Sequence, residues 1–173
     1  MRDMFPIVAS LVRQFTGVDM VIKANQNEKA PSGAYASVLI AQSVQGRSSG
    51  NVRQQILDDG RINYVTRYPV TWVVTVNFWR GKALESAAML QRIQYMPSAH
   101  DGLLAHGIGL VGVSPVTNLT ALQSFSQEQR AVTAITLTTY EEVSEVVNPI
   151  EHVSVRVEDD MKRNLTTISI NQE

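Results

Sequence analysis

Apolar residues recur at Met4, Val8, Leu11, Val12 and Phe15, a spacing that predicts an amphipathic helix, with Pro6 tolerated in its first turn and Gly17 ending it. Val18 to Ile22 reads as a short extended piece, and the polar run from Lys23 to Lys29 with Pro31, Ser32 and Gly33 reads as a loop. From Ala34 to Val44 two alternating sets are both largely apolar, which predicts a strand covered on both faces. Gly46, Ser48, Ser49 and Gly50 then make a segment too flexible to bury. Asp58-Asp59-Gly60 between two extended runs predicts a tight hairpin, on the ground that Asp and Gly both tolerate positive φ. Together, residues of about 45–62 are expected to form a projecting arm.

The clearest strand is Val70 to Trp79, whose Trp72, Val74, Val76 and Phe78 form a core face, with Pro69 bending the chain ahead of it. Leu84, Ala87, Ala88, Leu90 and Ile93 give a helical stripe over 82–95 that should lie on the sheet. Pro97 stops this helix, Ser98 caps a second short one, and Gly107 to Gly112 returns the chain to an extended stretch from Val113 to Leu122. Ala131, Thr133, Ile135, Leu137 and Thr139 alternate along a strand from Arg130 to Tyr140, and Asn148-Pro149 marks a bend. Val153, Val155 and Val157 mark the inward face of a further strand, and Leu165, Ile168 and Ile170 are able to form a last edge strand. No internal repeat is present. The order of elements predicts one α+β domain over 1–173: a mainly antiparallel or mixed sheet with helices on one face, the hairpin arm, and a polar C-terminal segment over 160–173.

Composition narrows the function classes. Fifteen basic against sixteen acidic residues give a net charge of −1, so no global field favours nucleic acid or an anionic membrane. The absence of cysteine removes disulfides, thiolate nucleophiles and thiolate metal sites together. Arg13 and Gln14 interrupt the N-terminal apolar pattern, so no export signal is expected, and no apolar run approaches membrane-spanning length. A soluble protein is expected.

Candidate chemistry is sparse. Gly107-Ile108-Gly109-Leu110-Val111-Gly112 satisfies the G-x-G-x-x-G pattern, but it follows helical residues and leads into a strand, the reverse of a dinucleotide site. A plain helix-to-strand connection is expected there. His100, His106 and His152 lack metal-ligand spacing, no serine sits in a nucleophile elbow, and the acidic pairs read as solvated turns and edges. No catalytic, cofactor-binding or metal-binding residue is assigned. Arg47, Arg53, Arg61 and Arg67 concentrate positive charge around the arm, either as a solvated hairpin partnered by Asp58 and Asp59 or as a surface for an acidic partner ring or passing DNA.

One segment stands apart: Val21-Ile22-Lys23-Ala24-Asn25-Gln26-Asn27, followed by Pro31 and the strand from Ala34. In order after it come the Trp72 to Arg80 strand, the helix ending near Met96, Leu103-Leu104 with Gly107, the run Val111 to Thr120, Arg130, and Ile150-Glu151-His152-Val153. This succession resembles the neck-terminator (tail-terminator) family of tailed bacteriophages over nearly the whole chain. It departs at Glu28-Lys29-Ala30, where a proline-richer turn is expected, and the Gln45 to Ile62 arm stands as a possible elaboration. The resemblance implies a non-enzymatic virion protein of the neck, assembled in the host cytoplasm without a cofactor. Its implied partners are further copies in a ring, usually sixfold, the tail tube protein, a head-completion, stopper or connector protein, and sheath protein if the tail is contractile. DNA would only pass through the channel, and no membrane is involved. Asn25, Gln26 and Asn27, with the four arginines, are the candidate interface residues. A head-side connector or stopper ring is the alternative within that machinery, and a small nucleotide-binding enzyme is the alternative outside it.

Overall fold

The computed structural model describes residues 3–27, 29–44, 50–123, 126–148, 152–158 and 164–171. Helix α1 spans Phe5–Thr16 and strand β1 Val21–Lys23; β2 (Tyr35–Val44), β3 (Asn51–Ile56) and β4 (Ile62–Trp79) follow. Helix α2 (Ala83–Arg92), a 3-10 turn (Ile93–Tyr95) and helix α3 (Pro97–Leu104) come next. The remaining strands are β5 (Gly109–Val113), β6 (Thr117–Asn118), β7 (Ala121–Gln123), β8 (Ser126–Glu128), β9 (Arg130–Val147), β10 (His152–Glu158) and β11 (Asn164–Asn171). The main sheet runs β1-β2-β4-β9-β5, with β3 also on β4 and β6 on β9. Within it, β1–β2 is parallel, whereas β2–β4, β3–β4, β5–β9 and β6–β9 are antiparallel. The fold is α+β, as expected.

The chain divides into two compact units, residues 1–49 with 68–141 and residues 50–67 with 142–173. In the first, Trp72, Val74, Val76 and Phe78 of β4 are all buried, and so are Ala131, Ile135 and Leu137 of β9. Against this face pack Val8, Leu11 and Val12 of α1, Ala87 and Leu90 of α2, and Leu103 of α3. Helices therefore cover one face. Within the core the Trp72 indole N–H donates to Thr139 Oγ1 at 2.8 Å, as burial of a Trp requires.

The second unit holds the hairpin of β3 with the first part of β4, the end of β9, and the β10–β11 hairpin. Register places Val153 opposite Ile170 and Val155 opposite Ile168, while Ser154 faces Ser169 and Arg156 faces Thr167.

Several local expectations are corrected. The proline at 69 does not interrupt the strand: β4 runs from Ile62 to Trp79. The helix predicted to Tyr95 ends at Arg92 and tightens into the 3-10 turn. Ser98 caps nothing; Met96 holds the cap position with no side-chain bond, and Pro97 opens α3 because its missing N–H is no loss there. The stretch after Val113 breaks into β6 and β7, and β9 continues past Tyr140 to Val147. β2 is covered on both faces only from Tyr35 to Val38; beyond that Leu39 is 44% exposed. At Asp58-Asp59-Gly60 only Gly60 takes positive φ, at 81°, with the Gly60 N–H bonded to the Leu57 carbonyl at 2.9 Å. The loop is thus a three-residue turn with glycine in the left-handed position.

The glycine-rich run is a helix-to-strand connection. Its first member follows α3, with the Gly107 N–H bonded to the Leu104 carbonyl at 2.7 Å, and the next two lie in β5. Gly109 is required by close approach to β9, since a Cβ there would meet Thr138 Cγ2 at 2.9 Å.

Candidate functional site

The loop after β1 and the adjoining sheet face form a cavity of about 550 Å³ within the first unit, lined by Ile22, Lys23, Asn25, Gln26, Lys29 and Trp79 among others. β4 is the organising element, because its neighbours β2 and β9 both bring side chains to Trp79. From β2, Tyr35 lies opposite Trp79 in register and stacks on it, centroids 5.8 Å apart and planes 5° from parallel. From β9, the Arg130 guanidinium carbon sits 3.9 Å from the indole centroid, a cation–π contact. The indole N–H donates to Ser37 Oγ at 3.1 Å. Arg130 Nη2 donates to Asn77 Oδ1 at 3.3 Å, whereas the buried Arg130 Nε has no partner.

Strain concentrates around the same cavity. Asn25 and Arg80 are the two non-glycine residues with positive φ among the described residues, at 59° and 61°. Asparagine tolerates that region, but an arginine there costs about 1–3 kcal/mol and persists only when its surroundings over-determine it. They do so here. The Arg80 N–H donates to the Gln129 carbonyl at 2.7 Å, Nε to Glu128 Oε1 at 2.8 Å, and Nη1 to the Pro31 carbonyl. Arg80 therefore ties the cavity loop to the β8–β9 connection, and its guanidinium lies 6.0 Å from the Tyr35 ring centroid.

Burial raises the Tyr35 phenol above its ordinary 10.0; the positive charge of Arg80 opposes this, Glu128 adds to it, and Arg130 opposes it. A raised folded-state value lends stability that is complete below the ordinary value and lost as pH rises through the folded one. Tyr35→Phe is accordingly expected to reduce the alkaline loss of stability, which urea unfolding across the alkaline range measures directly.

The predicted interface residues fall in both units. Asn25, Gln26 and Asn27 are exposed in the cavity loop of the first unit, and the first two line the cavity. Arg53 is exposed on β3 opposite Val65, and Arg67 is exposed on β4 opposite Asn51. Arg61 is engaged locally, its Nη2 2.6 Å and its Nε 2.7 Å from Asp59 Oδ2, and these bonds hold the Asp59 carboxyl below its ordinary range. Arg47 lies outside the described residues. Tyr35, Trp79 and Arg130, which line the cavity, and Arg80, which binds the Pro31 carbonyl of its loop, were not assigned from sequence. Trp79 and Tyr35 were visible only as strand positions, and Arg130 only as the residue heading a strand.

Among the described residues no group of three or more His, Asp or Glu side chains is placed to hold a metal ion, and no helix is long and apolar enough to cross a membrane. His100 Nε2 lies 3.0 Å from the Gln94 carbonyl, a local contact between α3 and the turn before it.

Among known protein families, the match is to structural proteins of the bacteriophage neck. The profile of the family described as phage neck terminator protein matches residues 7–161 of 173, and the chain belongs to that family. The match spans both compact units and the whole cavity wall, in keeping with the resemblance read from the Val21 to Asn27 segment onward. Curated proteins returned no significant match.

Proposed function

We propose that this neck protein acts as a terminator: a homo-oligomeric ring, sixfold, that caps the tail tube and joins it to the head-completion proteins. Membership of the phage neck terminator family is the observation that carries this reading. The fold supports it through surfaces that a monomer leaves unused. Every residue of β3 is exposed, including Val52 at 53% and Ile56 at 77%, and among the described residues this strand pairs with β4 alone. An exposed apolar edge strand invites pairing with another chain, and a ring subunit needs such heterologous edges.

In this reading the protein assembles in the host cytoplasm and resides at the top of the tail, its role requires no catalysis or cofactor, and DNA passes only through the channel. The Asn25 to Asn27 loop and Arg53 and Arg67 contribute contacts to neighbouring rings. Native mass spectrometry of the full chain, alone and with purified tail tubes of its phage, is expected to give a hexamer, with electron microscopy placing it on the end of the tube. A chain that stays monomeric in both conditions, combined with normal tails after deletion of the gene, would overturn the reading. Density on the portal side instead would make it a connector or stopper ring.

A further inference from the structure

The cavity beside Trp79 has the chemistry of a receptor for carboxylates. Lys23, Lys29 and Arg130 line it, and no Asp or Glu does among the described residues. The cations differ in how far they are already neutralised. Lys23 has a loose contact with Asp3, 3.9 Å apart and both exposed, and lies 5.1 Å from the Phe5 ring centroid, while Lys29 is exposed. Arg130 is the informative one: it lines the cavity, and its contacts with Trp79 and Asn77 hold the guanidinium in place. A half-buried, pre-oriented guanidinium suits a carboxylate, and much of its side-chain entropy is already spent.

Size and lining narrow the ligand. At about 550 Å³ the cavity falls in the range of sites that enclose a drug-sized ligand rather than a lone small ion. Met20, Ile22, Ala30, Pro31 and Leu39 supply apolar wall beside the cations. The aromatic groups argue against a nucleobase, which needs a free ring face. Trp79 on β4 stands between Tyr35 of β2 and Arg130 of β9, and Arg80 lies at the Tyr35 ring, so the stack is occupied. We infer that this cavity binds an acidic peptide segment of another protein, with a carboxylate accepting from Arg130, further carboxylates near Lys23 and Lys29, and apolar side chains against the Ile22 and Leu39 wall. The inference stands on the geometry of the first unit and does not depend on ring formation.

The test uses the full chain and a fluorescein-labelled hexapeptide of alternating valine and glutamate, with the glutamine version of that peptide and an oligodeoxythymidine as comparisons. Fluorescence anisotropy is expected to show saturable binding of the glutamate peptide that weakens with added salt and a much weaker response to the glutamine peptide. Binding is expected to fall about tenfold or more in Lys29→Glu, an exposed substitution that leaves the core intact, and likewise in Arg130→Gln where melting shows that variant folded. The Trp79 indole N–H resonance should shift on titration, placing the peptide at this wall. No saturable binding, equal binding of the two peptides, insensitivity to Lys29→Glu, or tighter binding of the oligodeoxythymidine would each overturn the inference.

Discussion

Phe78→Ala is expected to lower the unfolding free energy by about 3–5 kcal/mol, the loss typical of removing a buried aromatic side chain from a core that cannot collapse around the gap. Phe78 is 1% exposed and lies opposite Ala36 in register, so β2 offers only a methyl group at the facing position. Relaxation into the cavity would have to come from the helices, which are themselves fixed by Val8, Leu90 and Leu103 in the same cluster. Since total stability is generally about 5–15 kcal/mol, this one change should leave the first unit marginal or unfolded near physiological temperature. Urea unfolding followed by Trp72 fluorescence measures the loss. Leu104→Ala is the internal control: Leu104 is 69% exposed, and its truncation should move stability by no more than about 0.5 kcal/mol.

The same contrast explains which parts of the structure were legible in the chain. Trp72, Val74, Val76 and Phe78 announce a strand and its core face because the period of a strand is read within a few neighbouring residues. Likewise the stripe Ala87, Leu90 and Ile93 announces a helix, although the change to a 3-10 turn at Ile93 leaves that period nearly intact and was not foreseen. Pro69 does not interrupt β4, because the pairing with β3 ends at Arg67 and the pairing with β2 begins at Val70, so neither ladder needs its missing N–H. The cavity was legible only in part. Asn25 and Gln26 stood out by motif, but the wall they face joins residues about 50 positions apart, since Trp79 meets Tyr35 and Arg130 only once β2, β4 and β9 are neighbours. Arg80 could not be foreseen at all, because its left-handed backbone is enforced by Pro31, Glu128 and Gln129 rather than by any local preference.

The largest effect on assembly is expected from β3. Val52 and Ile56 lie four residues apart and so share one face of the strand, while Asn51, Arg53 and Gln55 occupy the other. Both are exposed large apolar residues, and their register partners on β4, Thr66 and Ile62, are half-buried. Replacing both by aspartate leaves the β3–β4 ladder intact, because backbone groups form it, but places two carboxylates on the surface proposed to meet a neighbouring subunit. If each residue carries about 2 kcal/mol at that contact, the pair weakens association roughly a thousandfold. The expected result is a chain with wild-type unfolding behaviour that no longer forms rings, measured by native mass spectrometry beside urea unfolding, and tails that fail to join heads when the variant alone supplies the gene. A variant that still forms hexamers would remove β3 from the subunit contact while leaving the terminator reading to be judged by where the ring sits. A variant that loses both rings and folding would point to β3 as part of the fold of its own unit. Only loss of rings with folding retained supports β3 as the subunit contact, because the exposure of Val52 and Ile56 predicts that the folded monomer gains nothing from either side chain.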